Sequence, residues 1–376
     1  MERNPFVLAP YACKELFCDR KEEMSNILQY LRNGRNITLI SPRRLGKTGL
    51  IYRVFDEIKT GGAEFDAIYV DISATQSIDD FIKVFAQAVV ATLNHRSRIA
   101  AFFSALGGLR PLLSYNAISG LPELTLTYRG EEEKPTTLGN ILSFLESGKK
   151  PVVVAIDEFQ QIREYEGVNM EAVLRSHIQK LSNVRFIFCG SKKHVMTDMF
   201  SSARSPFYDS TTTIPLHKLD VDTYAGFIEE KFLQYGKTID SDTVRFIINW
   251  SKNHTFYTQT LCNETFMISK RQVSMEDVVT AINRILTANR EHFLEIRRLL
   301  TAQQWALLRA IAREGAVAHP TASAFLRKYG LSSGASALKS LNALVEKELV
   351  LVSNTVDGPV YTVYNVFLSR FLEILL

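Results

Sequence analysis

The chain has 376 residues, which predicts two or three domains at about 100–200 residues each. Its 46% hydrophobic and 22% charged residues are ordinary for a soluble globular protein. A formal net charge of +4 neither demands nor excludes nucleic acid. No stretch approaches ~18 apolar residues free of charge, so no membrane-spanning helix is expected. The N-terminal MERNPFVLAP lacks the basic-then-apolar pattern of a signal peptide. Cys13, Cys18, Cys189 and Cys262 lack metal-ligand spacing and read as reduced thiols of a cytoplasmic protein.

Asn4-Pro5-Phe6 opens an extended segment. A helix is predicted from about Lys21 to Asn33, with Met24, Ile27, Leu28 and Leu31 at helical spacing, Asp19 as its N-cap and Gly34 as its stop. Arg20 stands at the helix entry, where it either lies beside a nucleotide base or anchors a surface turn. Ile37–Ile40 is a short apolar β run, Ser41–Thr48 a compact turn, and Thr48 through Ile58 a helix. Strand, loop, Gly-Lys-Thr and helix is the layout of a phosphate-binding loop. Backbone N–H groups at a helix N-terminus make an anion nest, and the helix dipole adds partial positive charge. Gly46 lets phosphate oxygens approach the backbone, Lys47 reaches the β- and γ-phosphates, and the Thr48 hydroxyl suits Mg²⁺. Ser41 occupies the position where this pattern usually opens with Gly, and the loop is expected to have one fewer free hinge.

Beyond the Gly61-Gly62 turn, Ala67–Ile72 reads as an apolar strand and Asp79–Leu93 as an amphipathic helix. The Gly- and Pro-rich stretch from Gly107 to Pro135 is expected to be an insertion with a short β element at Glu123–Tyr128. Thr136–Glu146 reads as a helix. PVVVAIDE at Pro151–Glu158 predicts a strand buried on both faces of a parallel sheet, with Asp157 and Glu158 at its carboxyl end. Ligands of open α/β sheets bind at that end. There Asp157 suits Mg²⁺, often through water, and Glu158 suits polarising the attacking water. Arg185–Gly190 predicts another buried strand, whose tip offers Ser191 either to the γ-phosphate and water or as a helix cap. Arg204 suits a charge sensor or a solvated side chain, and Thr211–Leu216 supplies a fifth strand.

From Asp220 the pattern is all helix: Val221–Gln234, Asp240–Lys252, Thr255–Ile268, Ser274–Leu286 and a connector at Arg290–Leu300. The last segment predicts helices at Gln303–Arg313, Thr321–Tyr329 and from Ser332 or Ser333 to about Lys347. Strands at Leu349–Ser353 and Val360–Val363 and a final helix at Phe367–Leu376 complete it. Three helices and a β-wing make a winged helix-turn-helix. Its third helix carries Lys339 and Asn342 but mostly Ser and Ala where base-reading side chains would stand, so docking on protein competes with DNA binding. The expected fold class is thus α/β, a P-loop core with a parallel five-stranded sheet (1–218), then a helical lid (219–298) and a winged helix (299–376).

These motifs together resemble the archaeal-type ATPases of the STAND class, relatives of the AAA+ ATPases. The resemblance is carried by Asn4-Pro5-Phe6, FCDRKEE at Phe17–Glu23, SPRRLGKT at Ser41–Thr48, VVVAIDEFQ at Val152–Gln160, FCGS at Phe188–Ser191, SPFY at Ser205–Tyr208 and the winged helix. It implies that Phe17 and Arg20 line the adenine side, that Arg43, Arg44, Leu45, Gly46, Lys47, Thr48 and Gly49 hold the phosphates, and that Thr48 and Asp157 hold Mg²⁺. It further implies that Glu158, Lys47 and Ser191 serve hydrolysis of ATP to ADP. Such proteins act as nucleotide-driven switches. Asp19 replaces the small residue usual before the Arg, Asn253-His254-Thr255 stands for the lid's Gly-His-Pro-type turn, and Asp209-Ser210 for a Gly-Arg. The last two departures leave tight nucleotide binding with slow turnover as an alternative. The partners to expect are nucleotide, a protein or a second copy, and DNA through the winged helix, with no membrane.

Overall fold

Short β-branched and apolar runs bounded by Gly, Pro and Asn build the sheet, and amphipathic segments between them build its covering helices. A computed structural model describes residues 4–93, 95–106, 112–115, 122–125 and 133–374. In chain order its first half comprises α1 (Lys21–Arg32), β1 (Ile37–Ile40), α2 (Lys47–Thr60), β2 (Asp66–Asp71), α3 (Ile78–Thr92), α4 (Arg96–Ala105), β3 (Leu112–Tyr115) and β4 (Pro122–Thr125). There follow α5 (Glu133–Glu146), β5 (Val152–Asp157), a 3₁₀ helix (Phe159–Glu164), α6 (Met170–Ile178), β6 (Val184–Gly190), α7 (Lys193–Ser201) and β7 (Thr212–Pro215). Five of these strands form a parallel sheet in the order β2-β5-β6-β1-β7. β1 therefore pairs with β6 on one side and β7 on the other, with Ile40 level with Gly190 and with Pro215. The fold is α/β with a P-loop core, and the carboxyl ends of β1, β6 and β5 lie at one rim of the sheet.

Alternation along the central strands assigns each residue to one of two cores. Val152, Val154, Ile156, Phe186 and Phe188 pack into the core roofed by α3, α5, α6 and α7. Val153, Ala155, Ile187 and Cys189 pack on the opposite face with residues of α1 and α2. A strand buried on both faces needs side chains without polar atoms at every position, which is why β5 reads as an unbroken apolar run. The Phe159, Phe188, Phe200 and Phe207 rings, with centroids 4.4–5.9 Å apart, knit the segment after β5 to β6 and α7.

Several local expectations need correction. Asp19 does not cap α1; the N-cap is Arg20, both residues are left-handed (φ 56° and 63°), and no side chain caps the helix. Ser333 stands at the N-cap of the third winged-helix helix but makes no side-chain cap bond. Three helices, α4, α6 and α7, fall where periodicity assigned none; each spans only 9 or 10 residues, about two and a half turns, too few for a pattern to emerge. In the expected insertion, β3 and β4 pair antiparallel; residues 126–128 of the anticipated β element lie outside the described residues.

Contacts between Cα atoms divide the chain into two compact units: Ala9–Leu219, and the residues from Asp220 onward together with the segment up to Leu8. The second unit contains α8 (Val221–Gln234), α9 (Ser241–Trp250), α10 (Thr255–Ile268), α11 (Met275–Ala288) and α12 (Arg290–Arg298). It continues with α13 (Ala302–Glu314), α14 (Ser323–Lys328), α15 (Gly334–Glu346), the hairpin β8 (Val350–Thr355) and β9 (Gly358–Val363), and α16 (Val366–Ile374). Asp220, Asp240, Ser274 and Thr301 cap their helices through side-chain acceptors, the last two in reciprocal capping boxes. α16 docks on the α9–α10 corner: Phe367 meets Trp250 and Tyr257 with ring centroids 6.0 and 4.8 Å apart, and Arg370 donates to the Trp250 carbonyl at 2.8 Å. Asn4-Pro5-Phe6 is tied to α8 and α10. The Asn4 amide donates to the Asn263 carbonyl at 2.9 Å, the Asn263 amide donates to the Phe6 carbonyl at 2.6 Å, and the Phe6 ring lies 4.9 Å from that of Phe232. Among the described residues no helix is long and apolar enough to cross a membrane.

Candidate functional site

β1 ends at Ile40, and the chain turns back through Ser41–Gly46 to start α2 at Lys47. The left-handed positions of this loop are Arg44 (φ 64°) and Gly46 (φ 96°). Ser41 is not left-handed, so the expected loss of a hinge there does not arise. Instead its hydroxyl donates to the Pro42 carbonyl at 3.0 Å and accepts from Lys47 at 3.2 Å. A Cβ on Gly46 would meet nothing within 4 Å, so the glycine serves backbone conformation and leaves open space above the helix start. Gly49 is required for a different reason: a Cβ there would meet the Pro10 carbonyl at 2.5 Å and the Phe17 ring at 3.2 Å. The N-terminal segment thus lies directly on the first turn of α2, and Phe17, half-buried, packs edge-on against Tyr11.

Lys47 is only 6% exposed. Its ammonium donates to the carbonyls of Ser41 and Pro42 at 2.8 and 3.1 Å. Burial pushes its pKa down, while Asp157 and Glu158 act in the opposite sense. An ammonium held by loop carbonyls at the mouth of an anion nest is a cation whose counter-charge is best supplied by phosphate. Arg43 and Arg44 have exposed side chains, and Leu45 is buried beneath the loop.

Asp157 ends β5, two strands from β1, and its carboxylate gathers three donors. Oδ2 accepts from the Thr48 hydroxyl at 2.7 Å and from the Tyr69 hydroxyl at 2.9 Å, and Oδ1 accepts from the Glu158 N–H at 3.0 Å. Burial, followed by the charge and hydrogen bond of Asp157, raises the Tyr69 pKa, so this phenol remains a donor. A hydroxyl and a carboxylate side by side are hard oxygen ligands of the kind Mg²⁺ takes while keeping waters and phosphate oxygens for its other positions. The residues present therefore fit Mg²⁺ with nucleotide. Among the described residues no cluster of three or more His, Cys, Asp or Glu makes an all-protein metal cage.

Glu158 follows in the left-handed region (φ 54°, ψ 40°), which turns its side chain toward the tip of β6. Its Oε2 accepts from the Ser191 hydroxyl at 2.7 Å and from the Gln160 amide, and Arg43 Nε reaches Ser191 Oγ at 3.2 Å. Of the two readings for Ser191, the cap is not what the structure has: the N-cap of α7 is Lys192. Lys47, Thr48, Asp157, Glu158, Ser191 and Arg43 thus come together at the rim. Arg20 has a different placement. It is 5% exposed, and its guanidinium donates to Glu23 at 2.8 Å and to the His217 carbonyl at 2.6 Å, tying α1 to the end of β7. It is buried and does not anchor an open surface turn. Arg204 is exposed. Two polar side chains in the site, Tyr69 and Gln160, have no assignment from the sequence. Gln160 stands in the IDEFQ run, two residues beyond Glu158, and that spacing was a usable signal; Tyr69 offered none, because only strand pairing brings it to Asp157.

A β-strand, an anion-nest loop closing on a lysine at a helix start, and an acidic pair at the end of a parallel strand define a P-loop ATPase-type core, here followed by helices and a winged helix. The chain belongs to the ATPase family described as "ATPase domain predominantly from Archaea", whose model matches residues 17–251. Residues 291–374 match the model described as "Probable winged helix domain". No curated protein matches the chain. Among solved structures it is similar to the Walker-type ATPase PABY2304 of Pyrococcus abyssi, at 17% identity and a TM-score of 0.66 over 98% of this chain and 100% of that one. It is also similar to the ORC2 protein of Aeropyrum pernix in its ADPNP-ADP complexes, at 13% identity and a TM-score of 0.60 over 99% of this chain and 96% of that one. The ORC1 protein of Aeropyrum pernix in complex with DNA aligns at 14% identity and a TM-score of 0.53 over 98% of this chain and 96% of that one. At these identities the likeness concerns the fold.

Proposed function

We propose that the chain binds ATP with Mg²⁺ and hydrolyses it to ADP, and that the nucleotide state acts as a conformational switch of the STAND and AAA+ kind. The observation that carries this reading is the convergence of Lys47, Thr48, Asp157 and Glu158, from two separate segments, on one rim of the sheet. In this scheme the loop from Arg43 to Gly49 cradles the phosphates, Lys47 neutralises charge developing on the transferred group, and Thr48 and Asp157 hold the metal. Bound Mg²⁺ supplies charge neutralisation across the β- and γ-phosphates. Glu158 orients the attacking water, Ser191 with Arg43 faces the γ-phosphate, and Phe17 borders the base. The working division is a core at 1–218, a lid at 219–298 and a winged helix at 299–376. The setting is cytoplasmic, in keeping with four cysteines that remain free thiols.

The test is nucleotide content and phosphate release on one purified sample of wild type, Lys47→Ala and Glu158→Gln. Bound adenine nucleotide and turnover in the wild type, with binding lost in the first variant and turnover alone lost in the second, is the expected result. Unchanged turnover in Glu158→Gln would remove the water-orienting role. Bound nucleotide without turnover in the wild type would favour a locked switch.

DNA association through the winged helix is the second reading, favoured by the presence of that domain and by the fold shared with a protein solved on DNA. The exposed residues of α15 are Ala335, Leu338, Lys339, Asn342 and Glu346, with Ser332 and Ser333 just before it; one cation is matched by one anion, which supports docking on protein more than on phosphate. A duplex affinity that falls steeply with salt would establish the DNA reading, and no binding at low salt would end it.

A further inference from the structure

Glu158 is held by one oxygen only. Its Oε2 accepts from Ser191 and from Gln160, while Oε1 has no partner among the described residues. The two donors differ in what else they must do. Ser191 carries a rotatable hydroxyl at the tip of β6 and is already shared with Arg43 of the phosphate loop. A γ-phosphate arriving between them would draw both toward itself. Gln160 has no such second duty. It lies within the 3₁₀ helix Phe159–Glu164, is 4% exposed, and sits under the last residue of β6. There a Cβ on Gly190 would overlap Gln160 Oε1 and Met196 Sδ, so the glycine is what makes room for the amide. Gln160 Oε1 is buried and without a hydrogen-bond partner among the described residues. A buried amide with one end unsatisfied is unfavourable as mere packing, since an apolar side chain of the same shape would avoid the desolvation. The orientation is also dictated: a carboxylate accepts only, so the NH₂ end must face Glu158.

We propose that Gln160 is a positioning residue for Glu158, the fixed peg that pins Oε2 and presents Oε1 to the attacking water once Ser191 and Arg43 engage phosphate. The proposal rests on the ATPase reading of this site. Gln160→Met keeps the length and volume of the side chain and removes the donor. In the full-length chain its kcat should fall about tenfold or more, because a small misplacement of a group that orients water is costly. KM for Mg²⁺-ATP and Kd for fluorescently labelled ADP should stay within about twofold, since Gln160 touches neither phosphate nor base. Gly190→Ala, which displaces the amide without deleting it, should show the same split. A second readout needs no turnover. In nucleotide-free protein, the melting shift caused by Gln160→Met should differ between the wild-type and Glu158→Ala backgrounds, as expected of two residues that share a bond.

Unchanged or raised kcat in Gln160→Met overturns the proposal, a rise meaning that the amide restrains Glu158 instead. A parallel change of kcat, KM and Kd overturns it in favour of a structural role, and so does an equal melting shift in the two backgrounds. A wild-type chain that releases no phosphate overturns the ATPase reading and this role with it, before any variant is compared. Failure of the positioning role alone leaves wild-type turnover intact.

Discussion

Replacing Lys47 by Met keeps most of the stem and removes the charge, and the structure predicts opposite outcomes with and without nucleotide. Without nucleotide, the ammonium donates to the carbonyls of Ser41 and Pro42 and to the Ser41 hydroxyl while only 6% exposed. Three hydrogen bonds from a charged donor contribute about 4.5–9 kcal/mol together, and burying an ammonium costs several kcal/mol, so the two are of similar size and oppose one another. The melting temperature of the nucleotide-free variant should therefore change little. With nucleotide the effects no longer offset. ADP at about 100 times its Kd stabilises the wild type by about 2.7 kcal/mol, roughly 5–11 °C for a unit of this size. Losing a charged hydrogen bond to phosphate weakens affinity about 10- to 150-fold, which leaves about 0.3–1.3 kcal/mol of stabilisation at the same ADP concentration, roughly 1–5 °C. The assay is a thermal melt with and without Mg²⁺-ADP. A variant that melts many degrees lower when empty yet keeps the full nucleotide shift would refute the reasoning, because Lys47 would then be a structural ammonium.

The same residue carries a pH prediction. Burial lowers the Lys47 pKa below its ordinary value of 10.5, so between the two values the unfolded chain binds more protons and stability rises with pH. The stability gap between Lys47→Met and wild type in nucleotide-free melts should shift in the wild type's favour as pH climbs toward 10.5; a gap independent of pH would contradict a buried, destabilised cation. Gly49→Ala keeps the backbone N–H of the phosphate loop and should still weaken ADP binding, since its Cβ displaces the Pro10 carbonyl from 2.5 Å and presses on Phe17; equal Kd values by titration would show that this segment does not border the nucleotide. Lys237→Met should lower the melting temperature of the second unit. Lys237 donates to the Phe266 and Ser269 carbonyls at 2.5 Å each at the C-terminal end of α10, and each buried acceptor left unsatisfied costs about 1–3 kcal/mol. A melt unchanged within error would mean that water replaces it.

How much of the site could be read from the chain depended on how far apart its members lie. The phosphate loop is self-contained: Ser41, Pro42 and Lys47 bond to one another across a few residues, and left-handed Gly46 opens the helix between them. Asp157 and Glu158 were readable because the apolar run 152–156 stops at them, Asp157 closing β5 and Glu158 following it. Tyr69 was not, because its hydroxyl reaches Asp157 only through the pairing of β2 with β5. Arg20 carried two readings in the sequence, and the structure adds a bond that neither contained, from its guanidinium to the His217 carbonyl.

The winged helix follows the same division. Its helices and wing were legible from apolar spacing and turn residues, but Val317 joining the wing opposite Tyr361 and α16 docking on Trp250 were not. By itself the sequence determined the chain order of the five main strands and the longer helices, the anion-nest loop and the family, because these follow from spacing within a few turns of chain. The tertiary structure decided which of several plausible polar side chains meet. Thr48 and Asp157 are 109 positions apart and Ser191 and Glu158 are 33 apart. Strand order brings such pairs within hydrogen-bonding distance, and strand order is settled by which apolar faces bury one another, a global property that no local window of residues contains.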